Sequence, residues 1–439
     1  MADRVVLGGG LLASADAPLR MGWGVSIANG RVGDVAPNEE LQARFPGADR
    51  IDARELLLMP GLVNAHMHSY GLLAHGLPLH DVPSGFYEFL KDFWWPRVED
   101  RLDRPMIEAA MELACCRMIR SGTTAFCDVL EAPNAPAGIL DAEAAIVRRA
   151  GLRAVLMTEA SERIDTARGL ELLEENVRFI RARRDADPVR GMLCLHTSFT
   201  CSRPFVERAV GLRADLDCGL HLHLSESDDE PAACLDRFGV RPTMWYDDIG
   251  LWNGSVLASQ AVAVDADEIR LLARRNARVA HMPLSNCEVG GGIAPVPAII
   301  EAGIRPGLGS DGYLNDPFEV MRGAFLIHKG AMRDPSVMPA GVVLHMATDW
   351  GARAIGLPDG GTIAPGANAD LIGVDLRFDT PLCEENVLDQ VVLHRTGADV
   401  RLSIVAGRVL MERGELLAVD EDAARARVHD QATRLWGGA

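Results

Sequence analysis

The chain has 439 residues, 48% of them hydrophobic, and a formal net charge of -18. It exceeds one small domain and can bury a large core, while its acidic balance argues against nucleic acid or an acidic membrane as partner. Nine cysteines form no framework, no apolar run is long enough for a membrane span, and the start MADRVVLGGGLLASADAPL lacks the basic and apolar regions of a signal peptide, so reduced thiols in a cytoplasm are expected.

In chain order, residues 4–58 are short apolar runs broken by Gly, Asp and Pro: RVVLGGGLLAS, WGVSIANGRVGDVAP and ADRIDARELLLMP. They predict β-hairpins, with Ala28-Asn29-Gly30-Arg31 as a tight turn, because Asn-Gly tolerates the positive φ that two-residue hairpin loops need. From Pro60 to about residue 350, strand-like runs alternate with long amphipathic stretches. Strands are predicted to end at His66 and to span 121–129, 152–158, 192–199, 218–226, 255–264, 277–286 and 304–312, eight in all. Helical stretches such as RPMIEAAMELACCRMIRSG and DADEIRLLARRN lie between them. The eight repeats predict an α/β fold, a (β/α)8 barrel of the triosephosphate-isomerase type over residues 59–359. After residue 360 hairpin texture returns in GTIAPGANADLIGVDL and VRLSIVAGRVLMERGEL, so residues 1–58 and 360–439 are expected to fold together beside the barrel.

The stretch GLVNAHMHSYG, residues 61–71, ends the first barrel strand with His66 and His68. Residues i and i+2 of a strand share a face, so both imidazoles point one way and Met67 the other. Such a pair begins a metal site, although it also suits two ordinary polar residues. Barrel chemistry sits at the C-terminal strand ends. There lie His196 on strand four, His221, His223 and Glu226 on strand five, Gln260 on strand six, His281 on strand seven and Asp311 on strand eight. Each alone also fits a structural role. Together they point to a metal-dependent hydrolase.

PGLVNAHMHSY, HLHLSE, HMPLSN and GLGSDG, in this order, resemble the amidohydrolase superfamily. The branch resembled is that of cytosine/guanine deaminases, S-adenosylhomocysteine deaminases and triazine hydrolases. The likeness runs along nearly the whole chain, through EFLKDFWWPRVE, IRSGTTAFCDV and GARAIGLPDGGTIAPGANADLIGVDL. It implies a barrel with a β-sandwich built from both termini, and a metal held by His66, His68, His223 and Asp311. The family's His-x-x-Glu selects His223 as ligand and Glu226 as acid/base, which leaves His221 structural. His196, Glu88 in FYEFL and His281 are the expected substrate contacts, with loops 69–100, 128–135, 159–165 and 312–318 as pocket walls. Binuclear members bridge two metals with a lysine on strand four, but the only lysines, Lys91 and Lys329, lie at no barrel strand end. One divalent ion, Zn2+ or Fe2+, is therefore expected.

One position departs from the resemblance. Deaminases of this branch carry a histidine on strand six, where this chain has Gln260 in VLASQAV. A carboxamide hydrogen-bonds but cannot shuttle a proton near neutral pH. Three readings follow: a heterocycle deaminase whose protons move on Glu226 and Asp311, an amidase of N-acyl or aryl amides, or a metal-binding homologue without turnover. The expected partner is a small-molecule substrate, with a homodimer as the assembly.

Overall fold

The computed structural model describes residues 3–78, 80, 82–182, 187–312 and 316–437. Its strands are β1 (Arg4–Leu11), β2 (Arg20–Met21), β3 (Trp23–Ala28), β4 (Arg31–Pro37), β5 (Asp49–Pro60), β6 (Leu62–Met67), β7 (Thr123–Leu130), β8 (Arg153–Thr158) and β9 (Val189–Gly191). They continue with β10 (Leu193–Leu195), β11 (Leu220–Leu224), β12 (Val256–Gln260), β13 (Arg278–His281), β14 (Gly307–Leu308), β15 (Leu371–Asp375), β16 (Val400–Val405), β17 (Arg408–Glu412) and β18 (Glu415–Leu416).

Two parallel sheets carry the central part of the chain, in the orders β6-β7-β8-β9 and β10-β11-β12-β13-β14. Isolated parallel bridges join them at Met67–Asp311 and Ala160–Leu195. Every residue of β6, β7, β11 and β12 is buried, as expected for parallel strands covered on both faces. The crossover helices are set by local chemistry. Asp103 caps Arg104–Ser121 through the Met106 amide, and Gly122 ends that helix at φ 86°. Asp265 and Glu268 form a capping box at the start of Ala266–Arg274.

Both chain ends meet in a third, mixed sheet, ordered β18-β17-β16-β15-β5-β1-β3-β4 with β2 beside β1. The expected tight turn lies between β3 and β4, with Asn29 and Gly30 at positive φ. ADRIDARELLLMP is not a hairpin arm. It forms β5, parallel to β1 and antiparallel to β15, so the two halves join through its buried Leu57–Pro60 end.

Three features differ from expectation. The strand predicted over 192–199 is shortened to β10, and the preceding β9 belongs to the other parallel sheet. The eighth strand shrinks to Gly307–Leu308, because Pro306 and Gly309 interrupt the run on either side. A further helix, Glu421–Gly437, follows β18; its Arg434 and Arg427 pair with Asp103 and Glu112 while the Trp436 indole donates to Leu73 O. Among the described residues, no helix is long and apolar enough to cross a membrane.

Candidate metal centre

Alternation along the strands aims the site. Leu220, Leu222 and Leu224 of β11 pack outward with the surrounding helices, so His221 and His223 face inward. In β6 the register with β7 shifts between Asn64 and Met67. Met67 joins the outer core, while His66, His68 and His223 offer one ligand atom each, all within 4.8 Å of one another. Asp311 reaches them from the end of β14, with Oδ1 3.5 Å from His68 Nε2 and Oδ2 3.9 Å from His66 Nε2. Three imidazoles and a carboxylate at this spacing suit a divalent cation, zinc foremost.

The outer contacts decide whether the nitrogens can serve. A metal takes the lone pair of a neutral imidazole, so each ring must hold its proton on the opposite nitrogen. His68 Nδ1 donates to Val129 O at 2.8 Å. His66 Nδ1 lies 3.1 Å from His221 Nε2, which must accept. The His221 proton then sits on Nδ1, 3.3 Å from Cys194 Sγ, and the Cys194 thiol donates to Leu195 O at 3.5 Å. This order leaves a lone pair on His66 Nε2, and that buried atom has no hydrogen-bond partner. His223 Nδ1 faces Glu159 Oε2 at 3.5 Å, and the same oxygen lies 3.9 Å from His196 Nε2. Burial also holds His66 well below the usual histidine range and brings His223 down to about 3, which keeps both rings neutral. The orphaned His66 nitrogen and the donor order behind it fit a cation.

His221 thus stands behind a ligand rather than in the reaction. His221→Leu removes the acceptor that holds the His66 tautomer. Metal affinity, read by competition with a chromophoric chelator, should fall by roughly 10- to 100-fold, the usual cost of losing such a partner. Unchanged affinity in the folded variant would detach His221 from the centre.

Of the candidate ligands, His68, His223 and Asp311 line a cavity of about 620 Å³. Glu226, Gln260, Asp311 and His196 line it, while Phe86, Phe89, Trp94 and Trp95 build an aromatic wall. Burial, then the charges of Asp311 and Glu131, pushes the Glu226 carboxyl well above its usual range. Gln260 Nε2 donates to Asp311 Oδ2 at 2.7 Å, and its carbonyl accepts from Asn286 Nδ2. Its carboxamide is therefore tied at both ends. Ser225, Gln260, Ala261 and Asp311 all hold positive φ around the rim, a concentration of uncommon backbone at a candidate site. His196 donates from Nδ1 to Thr200 Oγ1 at 2.8 Å, or accepts from it, and stacks edge-on against Trp95.

Two expected contacts lie elsewhere. Glu88 is exposed and outside the cavity lining, because the short helix Phe86–Phe89 buries Phe86 and turns Glu88 to solvent. His281 is buried, but its Nε2 lies 3.1 Å from His328 Nε2 of the helix Pro317–Met332, so the ring points into the outer layer. The walls also differ: 285 and 288–290 line the cavity, while no described residue of 159–165 does.

Two carboxylates were missed. Glu131 Oε1 lies 3.5 Å from His223 Nε2 and 3.8 Å from His68 Nε2, while its Oε2 accepts from the Tyr70 hydroxyl at 2.6 Å. Glu159 lies behind His223. They directly follow β7 and β8, so the strand-end rule, applied to strands two and three as well, would have found both.

A family model described as the amidohydrolase family matches residues 57–410. A 5-methylthioadenosine/S-adenosylhomocysteine deaminase of Desulforudis audaxviator is 36% identical over 423 residues, covering 94% of each chain. A 5'-deoxyadenosine deaminase of Methanothermobacter thermautotrophicus is 33% identical over 421 residues, covering 94% of this chain and 95% of the relative. Among solved structures, an adenosine deaminase from Xanthomonas campestris with bound zinc superposes with a TM-score of 0.91 and 27% identity, covering 99% of this chain and 98% of that one.

Proposed function

Because the chain belongs to the amidohydrolase family, we propose that it is a hydrolase with one divalent metal ion, zinc foremost, that deaminates a 6-aminopurine nucleoside. The two bridged parallel sheets are read as one closed (β/α)8 barrel over residues 59–359, with the mixed sheet of both termini as its β-sandwich. Nine unpaired cysteines support a reducing, cytoplasmic setting.

The observation that carries the reading is the floor of the cavity. Three imidazoles converge there, the His66 nitrogen is buried without a partner, and Asp311 and Glu226 stand beside them. The named activities of the relatives, all on adenine nucleosides, supply the substrate class.

Deamination forms a carbon–oxygen bond from water, breaks the exocyclic carbon–nitrogen bond and releases ammonia. His66, His68, His223 and Asp311 would hold the divalent cation, which would lower the pKa of water toward neutrality and so supply hydroxide at pH 7. Asp311 accepts a proton from the attacking water, and its orientation is kept by Gln260. Glu226 gives its proton to the purine ring nitrogen, Asp311 passes the water proton on to the leaving amine, and the remaining hydroxyl proton restores Glu226. His196, whose Nε2 lies 3.9 Å from Glu159 Oε2, hydrogen-bonds the purine, and Trp95 covers its face. With the Gln260 carboxamide engaged by Asp311 and Asn286, the loss of the family histidine is absorbed by the carboxylates, which favours the deaminase over the amidase reading.

The test is ammonia release from a panel of purine nucleosides, pterins and triazines, before and after chelation. Activity on an adenine nucleoside, lost on chelation and restored by zinc, is expected. Protein with a full metal complement that releases no ammonia from any of them would overturn the reading.

A further inference from the structure

The deaminase reading leaves open what the nucleoside carries beyond its ring, and relatives act by name on two very different tails. One is a neutral thioether, the other an amino acid with a carboxylate. The cavity wall distinguishes them by charge.

Five carboxylates line the cavity: Glu99, Glu131, Glu226, Glu288 and Asp311. Among the described residues, no Arg or Lys lines it. In sequence, residues 78–81 and 313–316 contain neither residue type. Arg163 is the guanidinium behind the aromatic wall, 4.6 Å over the Trp95 ring. It is already committed, at 2.9 Å to Glu99 and 2.7 Å to Asp100, with its side chain 8% exposed. Leu77, Val82, Phe86 and Phe89 are among the apolar residues of the wall.

A carboxylate or phosphate entering this space beside the aromatic wall would leave water, face the Glu131 and Glu288 carboxyls and find no Arg or Lys partner among the described lining residues. Burying an unpaired charge is costly, and a site surrounded by like charge excludes by repulsion. A neutral thioether loses nothing by contrast, and an ammonium gains.

We infer that the cavity accepts adenine nucleosides whose 5' substituent is neutral or cationic and disfavours those whose substituent carries a carboxylate or phosphate, including the zwitterionic homocysteine tail. This rests on the deaminase reading for the orientation of the purine over the metal floor. It goes beyond that reading in separating the two tails.

The experiment uses the metal-loaded full chain and three ligands: 5'-methylthioadenosine, S-adenosylhomocysteine and the analogue of the latter that lacks only its carboxylate. Ammonia release gives kcat/KM, and calorimetry gives Kd. Removal of the carboxylate should raise kcat/KM and tighten Kd by about tenfold or more, the scale of like-charge exclusion. Glu288 is exposed at the mouth and is not part of the proposed machinery. Glu288→Lys should narrow the gap between the matched pair several-fold.

Turnover of S-adenosylhomocysteine equal to that of its decarboxylated analogue would overturn the inference and leave the deaminase reading standing. A gap that Glu288→Lys does not move would also overturn it. Discrimination in Kd without ammonia release would support the inference and overturn the deaminase reading. Neither binding nor turnover of any ligand would overturn both.

Discussion

Asp311→Asn should lose several orders of magnitude of kcat/KM together with most of its metal affinity. The carboxylate faces His68 Nε2 at 3.5 Å and His66 Nε2 at 3.9 Å, and it also accepts from Gln260 Nε2 and the Gly312 amide, both at 2.7 Å. An amide in its place removes the negative charge that offsets the cation and removes the proton acceptor for water. Its NH2 group must also face donors that a carboxylate satisfied, at a desolvation cost of about 1–3 kcal/mol for each buried polar group left unpaired. The affinity loss should therefore exceed the roughly 10- to 100-fold typical of an outer contact. Gln260→Ala is the internal comparison, since it removes only the donor that orients Asp311 and should stay within that smaller range. Metal analysis by mass spectrometry, alongside kinetics, decides the matter. An Asp311→Asn protein with wild-type metal content and near-wild-type rate would remove Asp311 from the centre.

Glu226→Gln separates metal binding from proton transfer. The residue follows His223 by three positions and lines the cavity without serving as a ligand in the proposed set. Glutamine keeps its size and hydrogen bonding but carries no transferable proton. The kcat should fall by about 10²–10⁴, the range for general acid–base catalysis, with metal content unchanged. The pH profile gives an independent reading. Burial, reinforced by Asp311 and Glu131, raises the Glu226 carboxyl well above the usual range, so its neutral form persists to higher pH. If it delivers a proton as an acid, kcat declines as pH rises through that value, and the same limb should be missing from Glu226→Gln. A variant that keeps both rate and limb would assign the proton transfer elsewhere.

Much of the centre was legible in short spacings. The pair His66 and His68 follows from the period of a strand, and the alternation of His221 and His223 with three leucines follows from the same rule. The strand texture located six of the polar strand ends, although it did not reveal Glu131 and Glu159. That omission was one of application rather than physics, since both directly follow strands that had been recognised.

The roles that stayed hidden depend on groups distant in sequence. His221 meets His66 across 155 positions, Gln260 meets Asp311 across 51, and Tyr70 meets Glu131 across 61. No periodicity records such partners. Glu88 lies near the cavity in sequence, yet the packing of Phe86 turns it to solvent. His281 ends its strand as expected, yet His328 draws its ring into the helical layer.

What the sequence by itself determined is therefore the repeat of strand and helix, the faces that carry the imidazoles, and the replacement of a titratable ring by Gln260. These are local consequences of backbone period and side-chain type. Only the tertiary structure decided which nitrogen of each histidine is free, what holds Gln260, and that the cavity above the ligands has acidic and aromatic walls without a cation. Those properties arise where separate strand ends and loops converge, because hydrogen-bond direction and electrostatic surroundings are set by neighbours in space and not by neighbours in the chain.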